Sequence, residues 1–293
     1  MPSNKFIFVR LLVGVLSICS LASQGFAEDK ELKQNPPEAK SDKKQVESDK
    51  SKAAINVAKE NDEGGFTLSF VKPEGEDEQS VYSILKDDDT FQKLLDTVNK
   101  TIALPTYIPV RFVSCGQANA FYNPEKGDIS MCYELFLEYL KILNDPDSTD
   151  EEVGEKVIQA ATFLMFHEMG HALVHKLELP ITGKEEDAVD DFASVLSLRL
   201  DEEGEKIVVS SIQGFAAWAD QEGNENLHFE DEHSFSGQRF YSIACVLYGS
   251  DVEKYAEMVS EDFLPEARAA RCPAEYKQKY ASWTKLLQNH LKT

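Results

Sequence analysis

The chain has 293 residues, 42% hydrophobic and 10% aromatic, which is enough to build a buried core and excludes a fibrous or wholly disordered protein. Its 52 acidic against 30 basic side chains leave a net charge of -22, which repels phosphate backbones at long range and argues against nucleic acid as a partner.

The first 27 residues read as a secretory signal peptide. Lys5 and Arg10 stand without an acid, an apolar run covers Leu11 to Ala22, and Gly25-Phe26-Ala27 places small residues at the two cleavage-determining positions before Glu28. That run falls short of the roughly 20 residues a spanning helix needs, and no later segment comes near it. An exported, soluble mature protein, periplasmic or secreted, with no transmembrane segment is therefore expected. Leu16-Ser17-Ile18-Cys19 has the outline of a lipobox, but Ile18 is not small, so lipidation is disfavoured. Residues 28–65 contain no aromatic residue and mix charges of both signs, so they cannot bury enough surface to offset their chain entropy and read as a disordered charged linker. The expected folded domain is 66–293.

The fold class expected there is α+β, with a small, mainly antiparallel sheet between Phe66 and about Tyr133, then a helical body. A short helix around Asp89–Asn99 is expected to pack on the sheet. Residues 119–123 and 128–133 alternate like a hairpin around Pro124 to Gly127. Beyond the signal the cysteines are Cys115, Cys132, Cys245 and Cys272, an even number that favours disulfides in an exported chain. Three pairings are open; locality favours Cys115–Cys132 and Cys245–Cys272, with free buried thiols as the alternative. No two of these cysteines lie within four residues of each other, which disfavours a cysteine metal site.

Ser148-Thr149-Asp150 ahead of Glu151 and Glu152 signals a helix start, and apolar residues recur at helical spacing as far as Leu177. Within that helix stands His167-Glu168-Met169-Gly170-His171, an HExxH. On a helix this spacing puts two imidazoles one turn apart on one face, able to share a Zn²⁺, with the glutamate beside them as general base. An accidental match in this composition arises about twice in a hundred such chains, so the surroundings must decide. Pro180 and Gly183 end the helix, and Thr182-Gly183-Lys184-Glu185 reads as a capping box opening a second, antiparallel helix to about Leu200. Glu186 in its first turn would complete a His₂Glu set, with Glu185 and Asp187 as fallbacks, and Asp190 one turn on would orient a ligand histidine through its other ring N–H. An acidic helix start stabilised by the macrodipole is the plainer reading of 185–191. His175 continues the histidine row but lies about 12 Å along the helix from His167, too far for one metal ion.

With these motifs the chain resembles a gluzincin-type zinc metallopeptidase, and most closely the secreted bacterial metallopeptidases of domain of unknown function 4344. The resemblance rests on Cys115 to Tyr122, Met131-Cys132-Tyr133-Glu134, the HEMGH run with Ala172-Leu173, Glu185-Glu186-Asp187 through Asp190 to Ala193, Glu232-His233-Ser234 with Gln238 to Tyr241, and the spaced Cys272, Tyr276 and Trp283. It covers about 66–293 and implies a zincin-like fold, a zinc cofactor and a peptide or protein substrate. Asn119-Ala120-Phe121-Tyr122 resembles the edge strand of thermolysin-like peptidases, which implies substrate contact by Asn119; an ordinary structural hairpin fits equally well. By order along the chain His233 takes the place of the histidine that stabilises the oxyanion in those enzymes, with Asp231 or Glu232 to orient it and Arg239 or Tyr241 as alternatives. A surface histidine in an acidic loop is the bland reading of His233; His228 and His290 have no comparable context. The leading expectation is zinc-dependent peptide hydrolysis with Glu168 as base. The competing classes are a non-catalytic zinc-binding or interaction protein on a peptidase scaffold, and an acidic envelope protein with an incidental HExxH.

Overall fold

The computed structural model describes residues 64–223 and 229–292. The signal peptide and nearly all of the linker, with Cys19, lie outside the described residues, as does His228. Four strands form one sheet: β1 (Gly65–Phe70), β2 (Tyr107–Val113), β3 (Ala120–Asn123) and β4 (Asp128–Cys132), in the order β1-β2-β4-β3. The hairpin expectation holds, since β3 and β4 pair antiparallel around a turn in which Gly127 takes a positive φ of 69°. The expectation of a mainly antiparallel sheet is corrected: β1 pairs with β2, and β2 with β4, in parallel. The reason lies between β1 and β2, where α1 (Glu76–Asp87) and α2 (Thr90–Thr101) carry the chain back to the starting end of the sheet. The helix foreseen at 89–99 is α2, and it does pack on β1. There the Asn99 side chain pairs with the outer edge of the strand, accepting from Phe66 N at 2.7 Å and donating to Phe66 O at 2.8 Å.

The sheet passes into the helical body through α3 (Tyr133–Ile142), followed by α4 (Asp150–Lys176), α5 (Glu185–Ser197), α6 (Asp201–Glu222), α7 (Ser236–Ser250), the short α8 (Glu266–Ala269) and α9 (Cys272–Leu287). Helix α4 starts where its capping box places it: Thr149 Oγ1 accepts from Glu152 N, and the Glu152 carboxylate accepts from Thr149 N. From Ala160 to Gly170 every residue of α4 is buried, as befits a helix enclosed on all sides. Sheet strands β3 and β4 lie against it, together with α3, α5 and α6. Gly170 permits the close approach of α5, for a Cβ there would stand 2.8 Å from Cβ of Val189. One buried cluster runs from Phe66 and Phe112 through Phe163 and Met169 to Trp283. Trp283 ties α9 to α5 by donating from Nε1 to Ala188 O at 3.0 Å and packing on the Phe192 ring.

Both favoured disulfides are present. Cys115–Cys132 closes the loop that precedes β3, and Cys245–Cys272 joins α7 to α9 beside Leu264 and Ala269. No helix among the described residues is long and apolar enough to cross a membrane.

Candidate metal centre

The site forms where α4 meets the first turns of α5 and the loop before α7. His167 and His171 share one face of α4 as their spacing requires, with ring centroids 4.9 Å apart. Glu186 of α5 lies between them. Its Oε2 is 3.1 Å from His167 Nε2 and its Oε1 is 3.3 Å from His171 Nε2. His233, from the loop ahead of α7, brings its own Nε2 to 3.1 Å from the same Oε2, so His167, Glu186 and His233 offer donor atoms within 4.8 Å of one another, while the expected ligand His171 lies outside that group.

Each of the three imidazoles is held from behind by a second carboxylate. His167 Nδ1 is 2.7 Å from Asp190 Oδ1, His171 Nδ1 is 2.7 Å from Glu185 Oε1, and His233 Nδ1 is 3.1 Å from Asp231 Oδ1. A carboxylate only accepts, so each Nδ1 carries the proton and each Nε2 lone pair is turned toward Glu186. Two acceptors facing each other at about 3 Å require a cation between them, either a proton on Nε2 or a metal ion. Electrostatics records the same demand. Burial works against the charge on Glu186, yet the hydrogen bonds from His167, His171 and His233 hold it well below the usual carboxylate range. Burial opposes protonation of His171 too, but its bonds to Glu186 and Glu185 push its pKa up to about 9.

Asp190, only 4% exposed, is fixed by Arg239 of α7, whose Nε and Nη2 donate to its two oxygens at 2.7 Å each. Burial alone would raise the pKa of Asp190; the Arg239 guanidinium and His167 bring it below the ordinary value. The guanidinium itself lies 4.3 Å over the Phe215 ring. Arg239 thus commits its Nε and one Nη2 bond to Asp190, a bracing role beyond the oxyanion alternative expected of it. Tyr241 is partly exposed on the same helix. The fallback ligands are also spoken for: Glu185 bonds to His171, and Asp187 accepts from Ser234 Oγ at 2.7 Å. The capping box expected at 182–185 is absent. The N-cap of α5 is Lys184, without a side-chain cap, so Thr182 lies ahead of the cap position and Glu185 stands at the first helical residue, its carboxylate on His171.

Glu168 is buried beside the imidazoles, with Oε1 4.0 Å from His167 Nε2. Its Oε2 accepts the backbone N–H of Tyr122 in β3 at 2.7 Å, a contact with no trace in the pattern of side chains. Tyr122 reaches α4 a second time, its hydroxyl lying 2.7 Å from Nδ1 of His175, which is exposed and apart from the cluster as its distance along the helix required. Asn119 stands exposed at the head of β3, its Oδ1 accepting from Ala120 N, and is not part of the imidazole and carboxylate cluster.

Three imidazoles converge on one carboxylate, each oriented by a further carboxylate, with a buried glutamate alongside, and His167, Glu186 and His233 form a group of a size that could hold a metal ion. Residues 70–287 match the family model of domain of unknown function 4344, described as "Putative metallopeptidase", and the chain belongs to that family. Neither a curated protein nor a solved structure matches it.

Proposed function

We propose that the protein is an exported zinc peptidase in which His167, His171 and Glu186 bind the metal and Glu168 is the general base. The observation that carries this reading is the position of Glu168. A purely structural metal site needs ligands and no base, whereas here a buried carboxylate lies against the ligand set with one oxygen tethered and the other directed to it. The donor chemistry of two imidazoles and a carboxylate suits zinc, which when bound supplies Lewis acidity toward water and the scissile carbonyl. The Tyr122 N–H holds Oε2 of Glu168, so Oε1 takes the proton of the attacking water and returns it to the leaving amine. Asp190 and Glu185 keep the Nδ1 protons of His167 and His171 in place.

The substrate is a peptide lying along β3. That strand is at the edge of the sheet, and its Asn119 carbonyl accepts from Cys132 N in β4, so by alternation the backbone groups of Ala120 and Tyr122 face outward, the Tyr122 N–H onto Glu168 and the carbonyls turned to meet a peptide. An extended peptide would add there as a further strand, with Asn119 at its end. His233 serves the oxyanion once substrate is bound, oriented by Asp231. The two disulfides and the reading of residues 1–27 as a signal support export. Cleavage of a mixed peptide library tests the function. Glu168→Gln should keep about one equivalent of zinc and lose activity by at least about 10²-fold. A wild type that holds zinc yet cleaves nothing would leave a non-catalytic zinc protein, and one that holds no zinc would refute the site.

A further inference from the structure

All three imidazoles set Nδ1 on a carboxylate and Nε2 toward Glu186, but only His167 and His233 share its Oε2 and fall with it in the group of donors within 4.8 Å of one another. His233 has its Nδ1 on a carboxylate and its Nε2 at 3.1 Å from Glu186 Oε2, the same distance and the same oxygen as His167 Nε2. Its ring lies nearly parallel to that of His167, at 21°. A cation seated between His167 Nε2 and Glu186 Oε2 is therefore met by the lone pair of His233 as well. Zinc–nitrogen bonds near 2.0 Å and zinc–oxygen bonds near 2.0–2.2 Å fit the group of His167, Glu186 and His233 after a contraction, and His171, whose Nε2 is 3.3 Å from Glu186 Oε1, closes in on the same ion from outside that group. A histidine waiting only for an oxyanion has no need to address the carboxylate that ligates the metal.

We propose that His233 is itself a ligand in the substrate-free protein, so that the resting ion is held by His167, His171, Glu186 and His233, and that a substrate or an added ligand must displace this imidazole to gain access. The proposal rests on the metal-site reading above and changes the resting state it implies: four protein donors close a tetrahedral site, whereas an active one keeps a position open. Of the four, His233 is the one able to leave. Its side chain is 46% exposed, against 2% for His167, 14% for His171 and 15% for Glu186, and it comes from a loop instead of a packed helix. That loop is tethered to α5 by Ser234 on Asp187 and by Lys184 Nζ at 3.5 Å from His233 O, which returns the imidazole to the same place.

The test uses the folded protein loaded with zinc or cobalt(II). Zinc affinity, read by competition with a chromogenic chelator, should fall by at least about tenfold in His233→Ala, because loss of a residue that merely orients a ligand already costs 10–100-fold. The visible cobalt(II) spectrum should change in His233→Gly, and added imidazole should restore the wild-type spectrum, an outcome that general loosening of the fold would not produce. If both variants bind zinc as tightly as the wild type, with unchanged cobalt spectra, His233 is not a ligand, while the zinc peptidase reading survives. If the wild type binds neither ion, that reading falls and this inference falls with it.

Discussion

Arg239→Met should be among the most damaging single changes outside the ligands. The wild-type guanidinium makes two 2.7 Å bonds to Asp190, whose side chain is 5% exposed beside an arginine side chain of 13%. Methionine fills much of the volume over Phe215 and supplies no charge, leaving Asp190 with His167 Nδ1–H as its remaining charged partner. An uncompensated buried charge costs about 3–5 kcal/mol, which sets the expected loss in urea denaturation of the metal-free protein. Zinc affinity should fall by about 10–100-fold, since His167 loses the carboxylate geometry that directs its Nε2. Combining the change with Asp190→Asn removes the stranded charge, so the double variant should be more stable than the sum of the single losses implies, by about 2 kcal/mol or more. A loss below about 1 kcal/mol for Arg239→Met would place the pair among solvent-exposed bridges and refute the view that it braces the centre.

Glu186→Gln should weaken zinc binding, because a neutral amide replaces the anionic ligand, and equilibrium dialysis checks it against the retention of zinc expected of Glu168→Gln. Gly170→Ala inserts a methyl 2.8 Å from Val189 Cβ and 3.1 Å from Phe192 Cδ1, and should cost about 1–3 kcal/mol in thermal or urea unfolding, with partial recovery in combination with Val189→Ala. The metal-free protein should lose stability on the alkaline side. With its folded pKa raised to about 9 from an ordinary 6.5, His171 contributes fully below pH 6.5 and ceases to contribute as pH rises through 9, a change on the order of 3 kcal/mol. Unfolding midpoints from pH 6 to 10 should show this decline in metal-free wild type and a clearly smaller one in His171→Ala, where His167 and His233, whose bonds to carboxylates raise them too, still contribute.

Features written in side-chain patterns were readable before the structure, and those made by backbone geometry were not. The start of α4 was visible because Thr149 and Glu152 cap it reciprocally, and the pairing of His167 with His171 because a helix converts a spacing of four into one face. Glu186 and Asp190 followed from the same periodicity on α5. The parallel sense of the sheet was hidden because it depends on α1, a mostly exposed helix that buries only Val81 and Leu85 and so has a weak apolar stripe. The bond from Tyr122 N to Glu168 involves a group every residue but proline possesses, so no residue type advertises it. Arg239 did leave a sign. It precedes Phe240 on a helix that buries Ile243, Ala244 and Leu247, and an arginine on such a helix needs an acidic partner nearby. What that sign lacked was the identity of the partner, 49 residues away in the chain.

The order in which the centre's parts occur along the chain has a consequence for biosynthesis. His167 and His171 are made first, Glu186 follows within a short interval, and His233 and the brace Arg239 come only after the whole of α6. From His171 to Arg239 the ribosome adds 68 residues, which at roughly 5–20 residues per second occupies about 3–14 seconds. During that interval the chain gains Glu186 and Asp190 well before the Arg239 that holds Asp190 in register. The candidate centre is therefore complete only once α7 is docked against α5 and α6.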